Sequence, residues 1–301
     1  MIQTQLEMLL LIALGFGLTK KRLLTDVSRG ELTNLVIYVV LPCNIFASFK
    51  IDMTRELLTS CAGILVIGFA AQALYIVLNR VLYIKTSPAR RVVMQYATIC
   101  NNSGFLGLPV MEAVFGDIGL LYGAVMLIPI RIFMWTAGLS LFTVTNTREK
   151  IKTLATHPCI WAVFLGFGYS LLPFELPGFF MRTVDAVGGC TTALSMLIVG
   201  AILTDVKLER ARGALDRDCL YYSALRLIAI PGLIFAVLRL LGTDGVITGV
   251  AVLSAAMPAA TTTAMLARKY GGDSPFAARL IMVSTLLSLV TLPLVSEICL
   301  I

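Results

Sequence analysis

Charge is what this sequence has least of. Of its 301 residues only 14% are Asp, Glu, Lys or Arg, against about 25% in soluble domains, which excludes a soluble globular chain. Histidine is nearly absent, His157 being the single one. One histidine cannot supply the HExxH of a zinc protease. No GxSxG elbow is present for a serine hydrolase either. Acidic residues are scattered rather than clustered, so a metal-dependent transferase is excluded, and neither a metal nor another cofactor is expected. The seven cysteines (Cys43, Cys61, Cys100, Cys159, Cys190, Cys219 and Cys299) stand singly, without CxxC spacing. That removes the usual zinc and redox arrangements and leaves them packing roles.

What the chain has instead is apolar length. Hydrophobic residues make up 58%, and the mean hydropathy is +0.91. Ten apolar spans are predicted, at about 4–19, 32–49, 57–79, 92–115, 118–144, 158–174, 183–204, 219–241, 246–267 and 276–299, leaving no room for a soluble domain. The net charge of +7 reflects topology rather than nucleic-acid binding. Eighteen of the 24 Lys and Arg residues fall in loops after spans 1, 3, 5, 7 and 9, four on the opposite side, and Arg131 and Arg226 inside spans. The positive-inside rule then puts both termini outside and the loop after span 5 in the cytoplasm. Lys85 and its basic neighbours are expected only to set this topology. The basic cluster Lys20–Arg22 follows the first apolar run rather than preceding it, unlike a signal peptide.

Two spans are built to stop being helices. Span 4 contains Cys100-Asn101-Asn102-Ser103-Gly104-Phe105-Leu106-Gly107-Leu108-Pro109. Gly104 and Gly107 weaken a helix, and Pro109 removes a backbone donor. Span 9 contains Ser254-Ala255-Ala256-Met257-Pro258-Ala259-Ala260-Thr261-Thr262-Thr263, again a central proline among small and hydroxyl residues. The spans divide into residues 1–145, a connecting loop at 146–157 and residues 158–301: five spans on each side in opposite orientation, the arithmetic of an inverted repeat. Paired broken segments in corresponding positions point to a transporter binding site at a crossover.

The chemistry there suits an anion. Half-helices begin with unsatisfied N–H groups and the positive end of a dipole. Asn101 and Asn102 add amide donors and lead the candidate set, with Gly104, Gly107, Pro109 and Pro258 shaping the backbone. Ser254, Thr261 and Thr262 offer hydroxyls, although the threonines could equally bond back to their own helix. Arg131, deep in span 5, is positioned for a substrate carboxylate or for carbonyls freed by the broken spans. Arg226 lies nearer a span end and could snorkel to the interface. No acid falls at the centre of spans 4 or 9; Glu7 and Glu297 sit near chain ends, and Glu112 follows Pro109. This favours uniport or anion exchange, with Glu112 the fallback coupling residue. Lys50 and Asp52 form an interfacial pair after span 2, and His157 an ordinary helix start before Pro158. Gly15, Gly17, Gly200 and Ala201 permit close helix packing.

The sequence resembles the auxin efflux carrier family along its whole length. The resemblance rests on NNSGFLGLPV in span 4 and on Leu41-Pro42-Cys43-Asn44-Ile45-Phe46 in span 2. It extends to Gly188-Gly189-Cys190-Thr191-Thr192-Ala193-Leu194-Ser195 leading to Gly200, and to MPAATTTAMLARKYGGD followed by STLLSLVTLP. It implies an all-α polytopic membrane protein of ten transmembrane helices in an inverted 5+5 repeat. Broken helices 4 and 9 cross at the substrate. Helices 1, 2, 6 and 7 form a scaffold able to pair as a homodimer, and the others a moving unit. The short central loop fits the compact bacterial type, an inner-membrane carrier of small organic anions such as malate or malonate. Two other readings stay open: a sodium- or proton-coupled symporter of the bile-acid type, and a non-transporting receptor.

Overall fold

The computed structural model of the chain describes residues 2–50, 54–142, 158–170, 172, 176–204, 216–260 and 262–300. Asp52, the 146–157 loop with His157, and Thr261 lie outside the described residues.

The described chain is helical. In order it forms α1 (Ile2–Lys20), α2 (Asp26–Leu35), α3 (Leu41–Ala47), α4 (Arg55–Asn79), α5 (Pro88–Ile99), α6 (Leu108–Phe133) and α7 (Pro158–Ser170). There follow α8 (Gly178–Gly188), α9 (Thr191–Leu203), α10 (Arg217–Ala224), α11 (Ile230–Leu240), α12 (Gly245–Ala256), α13 (Thr262–Lys269) and α14 (Ser274–Leu300). Six continuous stretches are long and apolar enough to cross a bilayer: Asp26–Ala47, Arg55–Asn79, Ser103–Gly138, Gly178–Ala201, Arg217–Leu240 and Ser274–Leu300. Pro158–Ser170 and Gly245–Ala256 are shorter apolar helices.

The long stretch Ser103–Gly138 is folded back on itself. Gly116 has φ 66° and ψ −153°, a conformation that suits glycine because it has no Cβ. Beyond it, a Cβ on Gly119 would collide with the Met111 carbonyl, and one on Gly123 with the Met111 and Leu108 side chains. The segments on either side of Gly116 therefore run antiparallel in close contact, which matches the boundary predicted between spans 4 and 5.

Four π-helical turns interrupt the helices, at Val36–Val40, Ser103–Gly107, Met134–Gly138 and Leu225–Ala229. Three are followed two residues later by proline: Pro42, Pro109 and Pro231. Proline has no N–H and crowds the carbonyl four residues back, and a widened turn relieves that crowding. The glycines and proline of span 4 thus do not break it where they stand. Gly104 and Gly107 lie in the wide turn, and Pro109 is in the first turn of α6.

Packing divides the helices into two groups. In one, α1 lies along α9, and α3 packs on α7 and α8. In the other, α4 packs on α6, and α12 on α6, α11 and α14, while α10 and α13 also lie on α14. Contacts between the groups are sparse, coming mainly from α9, α7 and α3 against the Ser103–Gly107 turn, α6 and α14. The α1–α9 contact is the closest, because a Cβ on Gly200 would run into the Ile12 carbonyl and one on Gly15 into the Leu197 carbonyl. Gly17 faces open space and takes no part. Gly200→Val should separate α1 from α9 and cost about 2 kcal/mol or more, the range of overpacking. The expected readout is a lowered melting temperature in detergent with a diminished monodisperse peak, while Gly17→Val leaves both unchanged.

Candidate functional site

The two broken segments meet. Helix α5 ends at Ile99, after which Cys100 is extended (φ −112°, ψ 102°) and Asn102 is off-helical (φ −86°, ψ 36°). Helix α12 ends at Ala256, after which Met257 is extended (φ −68°, ψ 141°). Asn101 and Ala259 form an antiparallel bridge, and Asn102 N–H donates to the Pro258 carbonyl at 2.9 Å. The Asn102 N–H and the Pro258 carbonyl thus satisfy each other across the two breaks. Without that pairing, freed groups in a hydrocarbon setting would each cost several kcal/mol.

Side chains close the remaining valences. Asn101, only 6% exposed, donates its amide to the Ser254 carbonyl, and its Oδ1 accepts from Ser103 Oγ (2.7 Å) and Ser103 N–H (3.3 Å). The Ser103 and Ser254 hydroxyls are 3.1 Å apart. Ala259 N–H donates to Ser284 Oγ at 3.3 Å, and Ser284 Oγ donates on to the Leu280 carbonyl. The Asn102 carbonyl accepts from both Leu106 and Gly107 N–H. The asparagines are therefore unlike. Asn101 is a buried pin between the segments, whereas the half-buried Asn102 side chain makes no hydrogen bond to the described residues.

The other predicted residues fall around this crossing. Thr262 Oγ1 lies 3.3 Å from Cys100 Sγ and 3.4 Å from Tyr96 Oη, so it ties α13 to the end of α5 rather than bonding back within its helix. Gly107 packs against Met257. Gly104 leaves room for Arg131, whose Nη2 stands 2.8 Å from where a Gly104 Cβ would be. Arg131 Nη1 is 3.6 Å from Met134 Sδ, its Nε is buried without a partner, and no carboxylate among the described residues pairs with it. Arg131 thus stands against the wide turn that begins at Ser103, directly after Asn102 in sequence, with no acidic partner among the described residues.

Arg226 corrects a prediction. Far from snorkelling, it is completely buried, with Nε donating to the Met257 carbonyl at 3.3 Å. Its placement in the second group, beside the break in span 9, carries no signal in residue spacing.

Glu112 lies away from the crossing, at a cavity of about 300 Å³ lined by Asn44, Ser48, Lys50, Glu112, Asp117 and Asp185, among others. Asn44 Nδ2 donates to Glu112 Oε2 at 3.2 Å, joining the first packing group to the second. Lys50 pairs with Asp185 at 2.8 Å, a partner the sequence did not suggest. Among the described residues, no group of three or more His, Cys, Asp or Glu could hold a metal ion.

Arg90 is a second residue missed. It pairs with Asp216 (3.1 Å) and Asp218 (2.8 Å), and its guanidinium lies 4.7 Å from the Phe276 ring centre. It thereby ties the start of α5 to α10 and α14, beyond setting topology. The two aspartates surround it closely enough to hold the guanidinium pKa above its ordinary value.

A family profile described as "Membrane transport protein" matches residues 1–296. The chain is 27% identical to a protein of Methanothermobacter thermautotrophicus named "Uncharacterized transporter", over 97% of this chain and 96% of that one. It is 23% identical to a protein of Rhizobium meliloti named "Putative malonate transporter", over 88% of this chain and 85% of that one. A third relative, an "Uncharacterized transporter" of Methanocaldococcus jannaschii, is 23% identical over 96% of both chains.

Proposed function

The chain belongs to the membrane transport protein family, the auxin efflux carriers, and from that premise we propose that it is a secondary carrier for a small organic anion, a mono- or dicarboxylate of the malonate or malate kind. It is a multi-pass integral membrane protein and not an enzyme. The observation that carries the anion reading lies beside the crossing. There the Asn102 N–H is already taken by the Pro258 carbonyl, while the Asn102 side-chain amide and the Arg131 guanidinium have no acidic partner among the described residues. A guanidinium without a protein acid suits a carboxylate, which it binds through charge-assisted hydrogen bonds. The Rhizobium relative's name points to the same substrate class.

In this reading the ten spans form two inverted five-span repeats, with the turn at Gly116 separating spans 4 and 5. Gly104, Gly107, Pro109 and Pro258 shape the binding backbone, Ser254, Thr261 and Thr262 offer hydroxyls, and both termini face outward across a bacterial inner membrane. The group containing α1, α3, α7, α8 and α9 is the scaffold, on which a second copy would dock. The group carrying α5, α6, α12 and α13 moves. The test is uptake of labelled malonate and malate into proteoliposomes, with and without proton or sodium gradients. Flux of either acid supports the carrier. Absence of flux in folded protein brings the receptor reading forward.

Proton coupling has one specific observation in its favour: Glu112 meets Asn44 at the seam between the groups, where an acid that gains or loses a proton would change how they hold together. Glu112→Gln keeps the size and a hydrogen-bonding amide. If Glu112 couples protons, a pH gradient should no longer accelerate uptake in this variant, while counterflow exchange continues. Equal gradient stimulation in both proteins would remove Glu112 from the mechanism.

A further inference from the structure

One fully buried charge among the described residues is not used by the carrier reading. Arg226 sits in the wide turn Leu225–Ala229 with no exposure at all, the bulkiest fully buried side chain described. Its guanidinium cannot shed its proton to escape the cost of burial. Its compensation is small: Nε donates to one carbonyl, Met257, and the guanidinium carbon lies 4.7 Å from the centre of the Tyr75 ring. Among the described residues, Nη1 and Nη2 are buried without a hydrogen-bond partner, and no carboxylate pairs with the group.

A buried charge held by one carbonyl and one ring is poorly compensated, since buried ions persist when paired and fully hydrogen-bonded. The two open nitrogens form the edge of the planar fork that receives carboxylates end-on. Arg131 and Arg226 approach the crossing from different segments: Arg131 stands against Gly104 in span 4, and Arg226 against the carbonyl of Met257 in span 9.

We infer that Arg226 is the fixed counter-charge of an occluded subsite for one small anionic group, a carboxylate or a halide, behind the crossing and between α4 and the broken end of α12. Where the group is the cargo's carboxylate, the inference rests on the carrier reading and deepens it. Where it is a halide, it stands alone.

The experiment is thermal melting of the purified full chain in detergent, titrated separately with malonate and with chloride. Ionic strength is held constant with a bulky sulfonate salt. The variants are Arg226→Met, which fills the space without charge, and Arg226→Lys. An anion that binds the folded state raises the melting temperature progressively with its concentration. The wild-type protein should show this rise, and R226M should melt no lower than anion-free wild type and should not respond. R226K, which keeps a charge but loses the fork, should need about tenfold more anion, one hydrogen bond's worth. A response to chloride identifies a halide site, and a response to malonate alone identifies the carboxylate of the cargo. An R226M protein that responds as wild type does, or a wild type indifferent to both anions, overturns the inference and leaves water as the occupant. If neither variant folds, the titration is repeated on Arg131→Met: an anion response that survives there supports the Arg226 subsite, and one that is lost overturns it. Failure of the carrier reading looks different: no carboxylate flux, with the Arg226-dependent chloride response intact.

Discussion

Asn102→Ala is expected to reduce carboxylate uptake by roughly ten- to a hundredfold while leaving the melting temperature within about 1 °C of wild type. The backbone of Asn102 does the structural work: its N–H reaches the Pro258 carbonyl, and its own carbonyl accepts from Leu106 and Gly107. Truncating the side chain leaves all three bonds in place. What is lost is an amide with no partner among the described residues, and a hydrogen bond to a charged group is worth about 1.5–3 kcal/mol. Asn101→Ala is expected to behave in the opposite way. It strips a donor from the buried Ser254 carbonyl and an acceptor from Ser103. Each unsatisfied group costs about 1–3 kcal/mol, although the Ser103 hydroxyl can still turn to Ser254, 3.1 Å away. A destabilisation of about 2–3 kcal/mol follows, with flux falling in proportion to the folded fraction. Uptake per folded molecule and melting curves, measured on both variants, separate the two roles. Wild-type flux in Asn102→Ala would remove that amide from the substrate path.

The crossing was legible because its parts are local. A proline flanked by glycine, asparagine or threonine inside an apolar run announces a broken helix without reference to any other residue. The boundary between spans 4 and 5 was legible for the same reason, since Gly116-Asp117 interrupts an apolar run. Relations between distant residues were not. Nothing in the spacing distinguishes Asn101 from Asn102; only the approach of Ser254, more than 150 residues away, makes one a pin and leaves the other open. Nothing near Lys50 in the sequence announces Asp185, which arrives from α8, 135 residues away. Arg226 was placed by counting residues from a span end, which assumes a lipid-facing helix. Its face is instead covered by Tyr75 of α4 and the broken end of α12. The wide turns before Pro42, Pro109 and Pro231 were half legible: the prolines mark the disturbance, but the chain absorbs it one turn earlier.

Locking Asn44 to Glu112 is expected to stop transport altogether. These side chains are 3.2 Å apart and belong to different packing groups. Asn44 stands in α3 against α8, where the Gly188 position leaves no room for a Cβ beside the Asn44 backbone. Glu112 stands in α6, which packs on α4 and α12. If the second group carries the crossing past the first, this contact must part in every cycle. Cysteines replacing Asn44 and Glu112, in a chain cleared of its seven native cysteines, can be joined by a short bifunctional thiol reagent. Uptake should fall to the level of empty liposomes and return on reduction. The comparison is a cysteine pair at Asn79 and Gln95, whose reciprocal 2.9 Å amide bonds join α4 to α5 within one group. The same reagent there should leave uptake near that of the unlinked protein, because two elements moving together need not separate. Loss of flux in both pairs would mean that any stiffening stops this carrier. Flux surviving the Asn44–Glu112 link would mean that the two groups do not move apart along this seam, and that access to the crossing alternates through smaller motions of the broken segments themselves.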